Sequence, residues 1–326
     1  CRRWTSEPEL DIQVVAGWDH AADRLARAVN DHGATPCESA EALLASDLNA
    51  VVIASETSFH ADLVEQAAAA GKAIVLQKPI GLTLDDADRI VNAVNRAGVR
   101  FTLAWQMRVD PQNLQMKELI DAGTLGRIFQ VRRRHGLSFC RNPQNATSWH
   151  LDPQYNRDIF ADDSCHAMDF VYWLFGMPTS VSAELGTLMH PEITNDHAIV
   201  VFRYRDGMMA EISNSFCTVA GENTTEITAE NGTVIQNYGD GPSTSTPRPD
   251  DAVCLKWMLD GDDAWRTSDD RGVAGQGERI AALAVPISEF LHGKREAIAT
   301  AEEGRDVLRM VLACYESNAN GRRIAL

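Results

Sequence analysis

The sequence lacks the features that define several other classes of protein. No apolar run approaches the length of a membrane-spanning helix. The opening residues, CRRWTSEPEL, contain no hydrophobic core of a signal peptide. The seven cysteines, at positions 1, 37, 140, 165, 217, 254 and 314, show no metal-type or redox pair spacing. An odd, scattered set of thiols is typical of a reducing compartment, so we expect a soluble, cytoplasmic protein.

Positive charge is also scarce. Lys and Arg number 30 against 46 Asp and Glu, which gives a formal net charge of -16. Such an acidic surface repels phosphate backbones and anionic lipids, so we expect neither nucleic-acid nor membrane partners. The 326 residues are 44% hydrophobic, which is enough for two sizeable cores.

Strand and helix patterns alternate in the first hundred residues. Helices are predicted between strands, and strands separated in this way indicate parallel βαβ units. The sequence therefore predicts an α/β class, with a Rossmann-type parallel sheet as a dinucleotide-binding domain in residues 1–104. The predicted strands are 12–19, 49–54, 73–76 and 99–104, and the helices are 21–32, 61–70 and 85–97.

The pattern changes after Trp105, where strand-like runs joined by hairpin signals become frequent. They predict a C-terminal α+β domain in residues 105–326, with a large, mostly antiparallel open sheet. A loose segment rich in Gly, Pro, Ser and Thr is expected at 238–251. A late helix over 279–291 is expected to kink or to begin at Pro286. The predicted strands are 128–134, 180–185, 197–204, 208–216, 225–229 and 233–236, and the other helices are 114–122, 163–175 and 302–319.

The segment AIVLQKPI, residues 73–80, places a lysine at the end of an apolar strand. Pro79 stops the strand and biases Lys78 away from helical geometry. The ammonium therefore lies at the carboxyl end of a strand, where open α/β sheets bind ligands. Alternatively, Lys78 is an ordinary solvated lysine.

Five segments recur in an order that matches one known family. They are AAGKAIVLQKP at 69–79, DPQNLQMKELIDAGTLG at 110–126, WHLDP at 149–153, DDSCHAMD at 162–169 and YESNANGRR at 315–323. Together they resemble the Gfo/Idh/MocA family of glucose–fructose oxidoreductase, inositol dehydrogenase and rhizopine-catabolism proteins, over essentially the whole chain. The resemblance implies a nicotinamide-dependent oxidoreductase acting on a carbinol of a sugar, polyol or inositol-like substrate.

The resemblance also implies that Lys78, Asp162 and His166 meet around the nicotinamide. Oxidation of a carbinol requires a base for the hydroxyl proton, and an unperturbed histidine titrates in the right range. Asp162, one helical turn before His166, would bind a substrate hydroxyl or orient the imidazole. Lys78 would stabilise the oxygen on which charge develops.

Further contacts follow from the same resemblance. Asp19 ends the second Rossmann strand, where a carboxylate binds the ribose 2′-hydroxyl and repels a 2′-phosphate, so NAD is expected over NADP. We expect no catalytic metal, because two adjacent acids and one histidine make a thin ligand set. The implied cofactor contacts are Asp19, Ala54, Ser55, Glu56, Thr57, His60, Gln77 and Lys78, and the implied substrate contacts are Gln106, Arg108, Trp149, His150 and Asp163.

Purely structural roles for these residues stay open. His166 could be a core histidine, and Asp162 could be a helix N-cap. Trp105, Trp149 and His150 could pack in a core or an interface instead of lining a sugar pocket. The arginines at 132–134 are expected on a solvated strand face, and alternatively one of them could contact the substrate.

The chain also departs from the family pattern. Gln77 replaces a glutamate, Ser164 replaces the glycine of DxGxH, and residues 156–158 replace a glycine run, which indicates a subfamily with its own pocket. No GxGxxG turn occurs in the sequence, although one is expected about 20 residues before Asp19. We expect that turn ahead of Cys1; the alternative is a real loss, which would weaken dinucleotide binding.

The prediction is thus a hydride-transferring oxidoreductase. The alternatives are an NAD-dependent enzyme that cleaves or eliminates a glycoside through transient oxidation, and a catalytically silent binding relative. We expect a homodimer or homotetramer, because one face of the open sheet is available to a partner and residues 199–202 are apolar.

Overall fold

The computed structural model describes residues 1–221, 223–237, 251–270 and 275–326. The chain divides into two compact units, Cys1–Gln106 with Ile280–Arg305, and Met107–Arg279 with Asp306–Leu326. Residues 238–250 of the loose segment expected at 238–251 lie outside the described residues. Within the described ranges, no helix has both the length and the apolarity needed to cross a bilayer.

The first unit contains the predicted parallel βαβ arrangement. Strands β3, β4 and β5 form a parallel sheet in that order, and β1 pairs with β2 in a separate parallel sheet. The strand expected over 12–19 is shorter than predicted. The elements up to Leu103 are α1 (Arg2–Ser6), β1 (Ala16–Gly17), α2 (Ala22–His32), β2 (Thr35–Pro36), α3 (Ala40–Leu44), β3 (Ala50–Ile53), α4 (His60–Ala69), β4 (Ala73–Leu76), α5 (Leu84–Ala97) and β5 (Phe101–Leu103).

Strand β4 is buried along most of its length, as its apolar run predicts. Ile74, Val75 and Leu76 are at most 1% exposed. The chain then turns into α5, whose first turn is closed by a capping box: Thr83 Oγ1 accepts from the Asp86 backbone N–H at 3.1 Å, and the Asp86 carboxylate accepts from the Thr83 N–H. Both ends of the Lys78 segment are therefore fixed by regular structure.

The second unit contains a nine-stranded sheet in the described residues. Its order is β13-β12-β11-β10-β6-β9-β8-β7-β14, and every pair is antiparallel except β6 with β9. The predicted mostly antiparallel sheet is confirmed. The remaining elements are α6 (Pro111–Asp121), β6 (Ile128–Gly136), α7 (Cys165–Phe175), β7 (Ser180–Gly186), β8 (His197–Arg203), β9 (Met209–Ser215), β10 (Asn223–Ala229), β11 (Gly232–Gln236), β12 (Leu255–Leu259), β13 (Arg266–Thr267), α8 (Gln276–Ala282), α9 (Ala284–Leu291), α10 (Ala301–Asn320) and β14 (Ile324–Ala325).

Alternation along β6 corrects one expectation. Arg132 and Arg134 are exposed, but Arg133 is only 3% exposed, so the solvated face predicted for 132–134 is wrong for Arg133. Successive side chains of a strand point to opposite faces, and Arg133 shares the inner face with Val131 and His135. Its guanidinium lies 4.2 Å from the Phe170 ring centroid.

Strand β8 corrects a second expectation in the same way. Of the apolar residues at 199–202, Val200 and Phe202 are fully buried, whereas Ile199 is 58% exposed. Of these four residues, only Ile199 and the partly exposed Val201 therefore lie on the outer face of the sheet.

Two helices begin at other places than predicted. The break in the late helix falls at Leu283, between α8 and α9, so Pro286 stands in the first turn of α9, where a backbone N–H has no intrahelical partner. Helix α7 begins at Cys165, after one π-helical turn over Phe160–Ser164.

Candidate active site

In the first unit, Lys78 follows β4 at the carboxyl end of the parallel sheet. The Gln77 N–H donates to the Ile53 carbonyl at 2.9 Å, which joins the ends of β3 and β4. The Lys78–Pro79 peptide bond is cis. Lys78 is partly exposed, whereas Pro79 and Ile80 are buried. The lysine thus emerges from a rigid edge of the sheet.

His60 connects the two loops that flank this lysine. Its Nδ1 lies 2.9 Å from the Pro79 carbonyl oxygen, and its Nε2 lies 3.2 Å from that of Ser55. Burial lowers the pKa of His60 to about 4, and the Lys78 charge acts in the same direction. A neutral imidazole has one N–H, so it donates to one of the two carbonyls at a time. Contact of His60 with the cofactor stays a prediction.

The residues predicted to hold the cofactor include unsatisfied buried atoms. Asp19 Oδ1 accepts from the Ala21 N–H at 2.8 Å and from Arg24 Nε at 3.0 Å, and Arg24 also donates to Glu56 Oε1. Glu56 Oε2 and Thr57 Oγ1 are buried and have no hydrogen-bond partner among the described residues. Buried polar atoms in this state need a ligand or water. At the carboxyl end of β3 they fit a dinucleotide, which presents hydroxyl and amide groups.

In the second unit, Asp162 and His166 lie on the π turn and on α7. Both are buried, at 5% and 4% exposure. Asp162 Oδ1 accepts from Asn156 Nδ2 at 2.8 Å, and its Oδ2 lies 3.3 Å from His150 Nδ1. Asp162 is inside the π turn, and Ser164 occupies the N-cap position of α7, so the N-cap reading of Asp162 is wrong. Single π turns occur frequently at functional sites.

His135 belongs to this group of residues, although sequence reasoning missed it. Its Nε2 lies 2.7 Å from Asp163 Oδ1, and its ring centroid is 6.4 Å from that of His166. Burial lowers the pKa of His135, and Asp163 partly opposes that effect. The predicted strand ended at residue 134. Its two-residue alternation, extended by one position, would have placed His135 on the buried face.

The predicted substrate residues lie in different surroundings. Trp149 and His150 are half-buried and stacked, with ring centroids 3.8 Å apart. Arg108 is buried in an ion pair with the buried Asp169, at 2.7 Å. Trp105 and Gln106 are buried in the first unit, at 1% and 5% exposure. Substrate contact stays a prediction for all five residues implied by the resemblance.

The second unit thus brings together His150, Asp162 and His166, supported by Asn156 and by the His135–Asp163 pair. Asn156 comes from the segment that departs from the family's glycine run. The carboxylate of Asp162 accepts a hydrogen bond from Asn156 and lies beside His150, and a carboxylate so placed can accept a proton or a hydroxyl hydrogen bond.

The fold defines the class: a two-unit α/β protein whose first unit has a parallel sheet of the type that binds dinucleotides. A family model described as an oxidoreductase family with an NAD-binding Rossmann fold matches residues 2–104, and a GFO/IDH/MocA C-terminal domain model matches residues 113–235. Together the two models account for more than two thirds of the chain. The chain belongs to the Gfo/Idh/MocA family.

Named relatives agree with this family. An uncharacterized oxidoreductase of Bacillus subtilis, YrbE, is 27% identical over 54% of this chain and 51% of its own length. Inositol 2-dehydrogenase of Rhizobium meliloti is 30% identical over 63% of this chain and 60% of its own length. The chain therefore spans about half to three fifths of these curated relatives. The WlbA dehydrogenase of Bordetella pertussis, solved with NADH and UDP-GlcNAcA, is 24% identical with a TM-score of 0.78 over 96% of this chain and 90% of that one, and this shows the shared fold.

Proposed function

We propose that this protein transfers a hydride between NAD and a carbinol of a sugar, polyol or inositol-like substrate. The observation that carries the proposal is the buried Asp162, which accepts a hydrogen bond from Asn156 and lies beside His150 on a π turn that leads directly to His166. Membership of an NAD-binding oxidoreductase family and a relative named inositol 2-dehydrogenase support the reaction class and the substrate class.

Each proposed catalytic residue has one task. His166 removes the hydroxyl proton of the substrate as the carbinol is oxidised. Asp162 orients the imidazole or binds the reacting hydroxyl. Lys78 stabilises the negative charge that develops on the substrate oxygen. When bound, NAD supplies the hydride acceptor.

The proposed cofactor contacts lie at or near the carboxyl ends of β1, β3 and β4. Asp19 would accept hydrogen bonds from the ribose 2′-hydroxyl, and its carboxylate disfavours a 2′-phosphate. Arg24, which could counter that effect, is paired with both Asp19 and Glu56. This pairing supports NAD over NADP.

We also propose a homo-oligomer located in the cytoplasm. The outer face of the nine-stranded sheet carries Ile199 and Val201 among charged neighbours such as Arg132 and Glu211, so an apolar strip is available to a second copy. The cytoplasmic location is supported by the acidic composition and the unpaired cysteines.

The test is a screen of sugars, polyols and inositols with the full-length protein, read as reduction of NAD or NADP by absorbance. With a working substrate, we expect His166→Ala to lower kcat by roughly 10²–10⁴, the usual worth of a general base. Lys78→Ala should also lose activity, while NAD binding by His166→Ala stays near the unmodified level. Asp163→Asn and His150→Ala should change KM more than kcat.

The control is His32→Ala, at a partly exposed histidine of α2. Near-normal turnover in both His166→Ala and Lys78→Ala would contradict the catalytic roles assigned to these two residues. Reduction of NADP as fast as NAD would contradict the cofactor preference.

A further inference from the structure

The segment that departs from the family's glycine run contains a buried carboxylate to which the proposed reaction assigns no task. Asp158 is 4% exposed and directly precedes the helical run that carries Asp162 and His166. Its Oδ1 accepts from the Ala161 N–H at 2.9 Å, the contact that an N-cap side chain makes with the third residue after it. Its carbonyl accepts from the Asp162 N–H at 3.0 Å. Asp158 therefore holds the first turn of this run, including the backbone of Asp162.

Two side chains from distant parts of the chain hold Asp158 in turn. Tyr315 Oη, on α10, donates to Oδ1 at 2.5 Å, and Asn195 Nδ2 donates to Oδ2 at 2.6 Å. With the Ala161 N–H, three donors surround the carboxylate, an arrangement that suits its ionised form. Burial and the neighbouring Asp158 charge raise the pKa of Tyr315 well above its ordinary value, so the hydroxyl stays a donor.

The residues around these contacts fix both donors. Asn195 has a φ of 57°, in the left-handed region that asparagine tolerates better than most residues, and its N–H donates to Thr187 Oγ1 at 3.0 Å. The Tyr315 ring lies between the Arg157 guanidinium, 5.1 Å from its centroid, and the Phe160 ring, 5.4 Å away. The loop between β7 and β8 and helix α10 are thus both connected to the turn ahead of α7.

We propose that Asp158, tied to Tyr315, is a positioning residue for Asp162. The inference rests on the proposed function, in which Asp162 orients His166 or binds the reacting hydroxyl. One short segment holds this aspartate at both ends, because Asn156 donates to its side chain and Asp158 accepts from its backbone. The π turn changes the angular spacing of successive side chains, so the direction of Asp162 depends on an anchor that fixes where the turn begins.

The experiment compares two tyrosine–aspartate hydrogen bonds of the second unit. Tyr315→Phe removes only the hydroxyl and keeps the ring that packs against Phe160. Tyr172→Phe is the matched control, because Tyr172 Oη donates to Asp306 at 2.9 Å and joins α7 to α10. This second bond lies about 15 Å further along the helix than Asp162, at 1.5 Å per residue.

Steady-state kinetics form the first readout, with a substrate from the screen described above. Tyr315→Phe should lower kcat by roughly 10- to 100-fold and leave KM close to the unmodified value, as a small displacement of a catalytic group does. Asp158→Asn should act alike, because its amide nitrogen cannot accept from Asn195. The double variant should be no slower than the slower single variant, since the two residues act through one contact. Tyr172→Phe should change neither constant.

Nuclear magnetic resonance gives a second readout that needs no substrate. In ¹⁵N-labelled full-length protein, the amide signals of Ala161 and Asp162 and the ring signals of His166 report the geometry of the turn. We expect all of them to shift in Tyr315→Phe and in Asp158→Asn, and to stay in place in the control variant. If Asp158→Asn does not fold, Tyr315→Phe decides the result.

The two readouts separate failure of this inference from failure of the proposed function. Unchanged signals at Asp162 and His166 in Tyr315→Phe would overturn the inference whatever the protein catalyses, and so would equal shifts in Tyr172→Phe. A normal kcat in Tyr315→Phe beside an impaired His166→Ala would overturn it and leave the proposed function intact. If the unmodified protein turns over no substrate, the proposed function fails, and the signals alone decide whether Asp158 positions Asp162.

Discussion

At the scale of single residues, burial can decide whether a side chain is charged, and His60 is the clearest case. It is 1% exposed and contacts only carbonyl groups through its two ring nitrogens. Because burial lowers its pKa to about 4, the folded protein holds it neutral where an unfolded chain would already be charged. The loops on either side of Lys78 therefore depend on a neutral imidazole.

This gives a prediction of how stability depends on pH. Between the unfolded value of about 6.5 and the folded value of about 4, the unfolded chain binds the proton first, so stability falls as the pH falls. From pH 7 to pH 5, His60 should reduce the free energy of unfolding by roughly 2 kcal/mol. Urea unfolding at both pH values measures this. In His60→Gln that share of the loss should vanish, whereas in His32→Gln it should persist; an equal loss in both variants would contradict the assignment.

Asn156 allows a second prediction at this scale. Its amide donates to the buried Asp162 carboxylate at 2.8 Å. A hydrogen bond to a charged group contributes about 1.5–3 kcal/mol. We expect Asn156→Ala to lower kcat/KM by roughly 10- to 100-fold, and Asn156→Asp to lower it further, because a second carboxylate would repel the first.

Steady-state kinetics across pH measure this effect. Asn156→Asp should recover part of its activity at low pH, which a merely structural defect would not do. Asn95→Ala is the matched control, since Asn95 also donates to a carboxylate at 2.8 Å but at an exposed position. Normal kinetics in both Asn156 variants would exclude a positioning role.

Much of the candidate site could be predicted at the residue scale, but not its supports. Lys78, Asp162 and His166 stand in short motifs with local meaning. The partner of His135 is 28 residues away, and that of Arg108 is 61 residues away. Contacts of this kind depend on how strands pair, and that information is absent from any local pattern.

At the scale of helices and strands, local sequence signals were sufficient to predict the bounds of some elements but not of others. Helices α2, α4, α5 and α10 begin and end within a residue or so of the positions that their periodicity predicts, because caps and glycines mark their ends. Strands β12 and β13 were missed, because β13 has only two residues and β12 shows no clear alternation of apolar and polar residues. The π turn before α7 was missed because it has no distinct sequence pattern.

Two helical glycines provide a matched test of packing. A Cβ added at Gly304 of α10 would lie 2.9 Å from Leu103 Cδ2 and 3.1 Å from Ile80 Cδ1, and both side chains are fully buried. Overpacking of this kind costs about 1–3 kcal/mol. Gly277 of α8 has nothing within 4 Å of an added Cβ. We therefore expect Gly304→Ala to be destabilising and Gly277→Ala to be stabilising by up to about 1 kcal/mol, from helix propensity alone.

Thermal and urea unfolding measure both variants. Ile80 follows Lys78 and Pro79 directly, so Gly304→Ala should also raise KM, while Gly277→Ala should leave it unchanged. Stabilisation by Gly304→Ala would show that Leu103 and Ile80 can move aside at no cost.

At the scale of the whole molecule, side chains that alternate along the strands give the two faces of the nine-stranded sheet different roles. The inner face carries His135 and the buried apolar residues, and the outer face carries Ile199, which is 58% exposed. Across the ladders, Ile199 faces Glu184 on β7 and Ser213 on β9. The fold class and the mostly antiparallel sheet could be predicted from the sequence, but the face on which each residue of 199–202 lies required the strand register.

An exposed isoleucine in the middle of a sheet strand leads to the last prediction. If this face covers a second copy of the chain, Ile199→Glu should convert the oligomer to a monomer, because a buried, unpaired carboxylate beside Glu184 is strongly unfavourable. Light scattering at micromolar concentration measures the mass. Val219→Glu is the control, since Val219 is 78% exposed but lies beyond the end of β9, and it should leave the mass unchanged. A monomer before any substitution, or an intact oligomer in Ile199→Glu, would show that this face is not the interface.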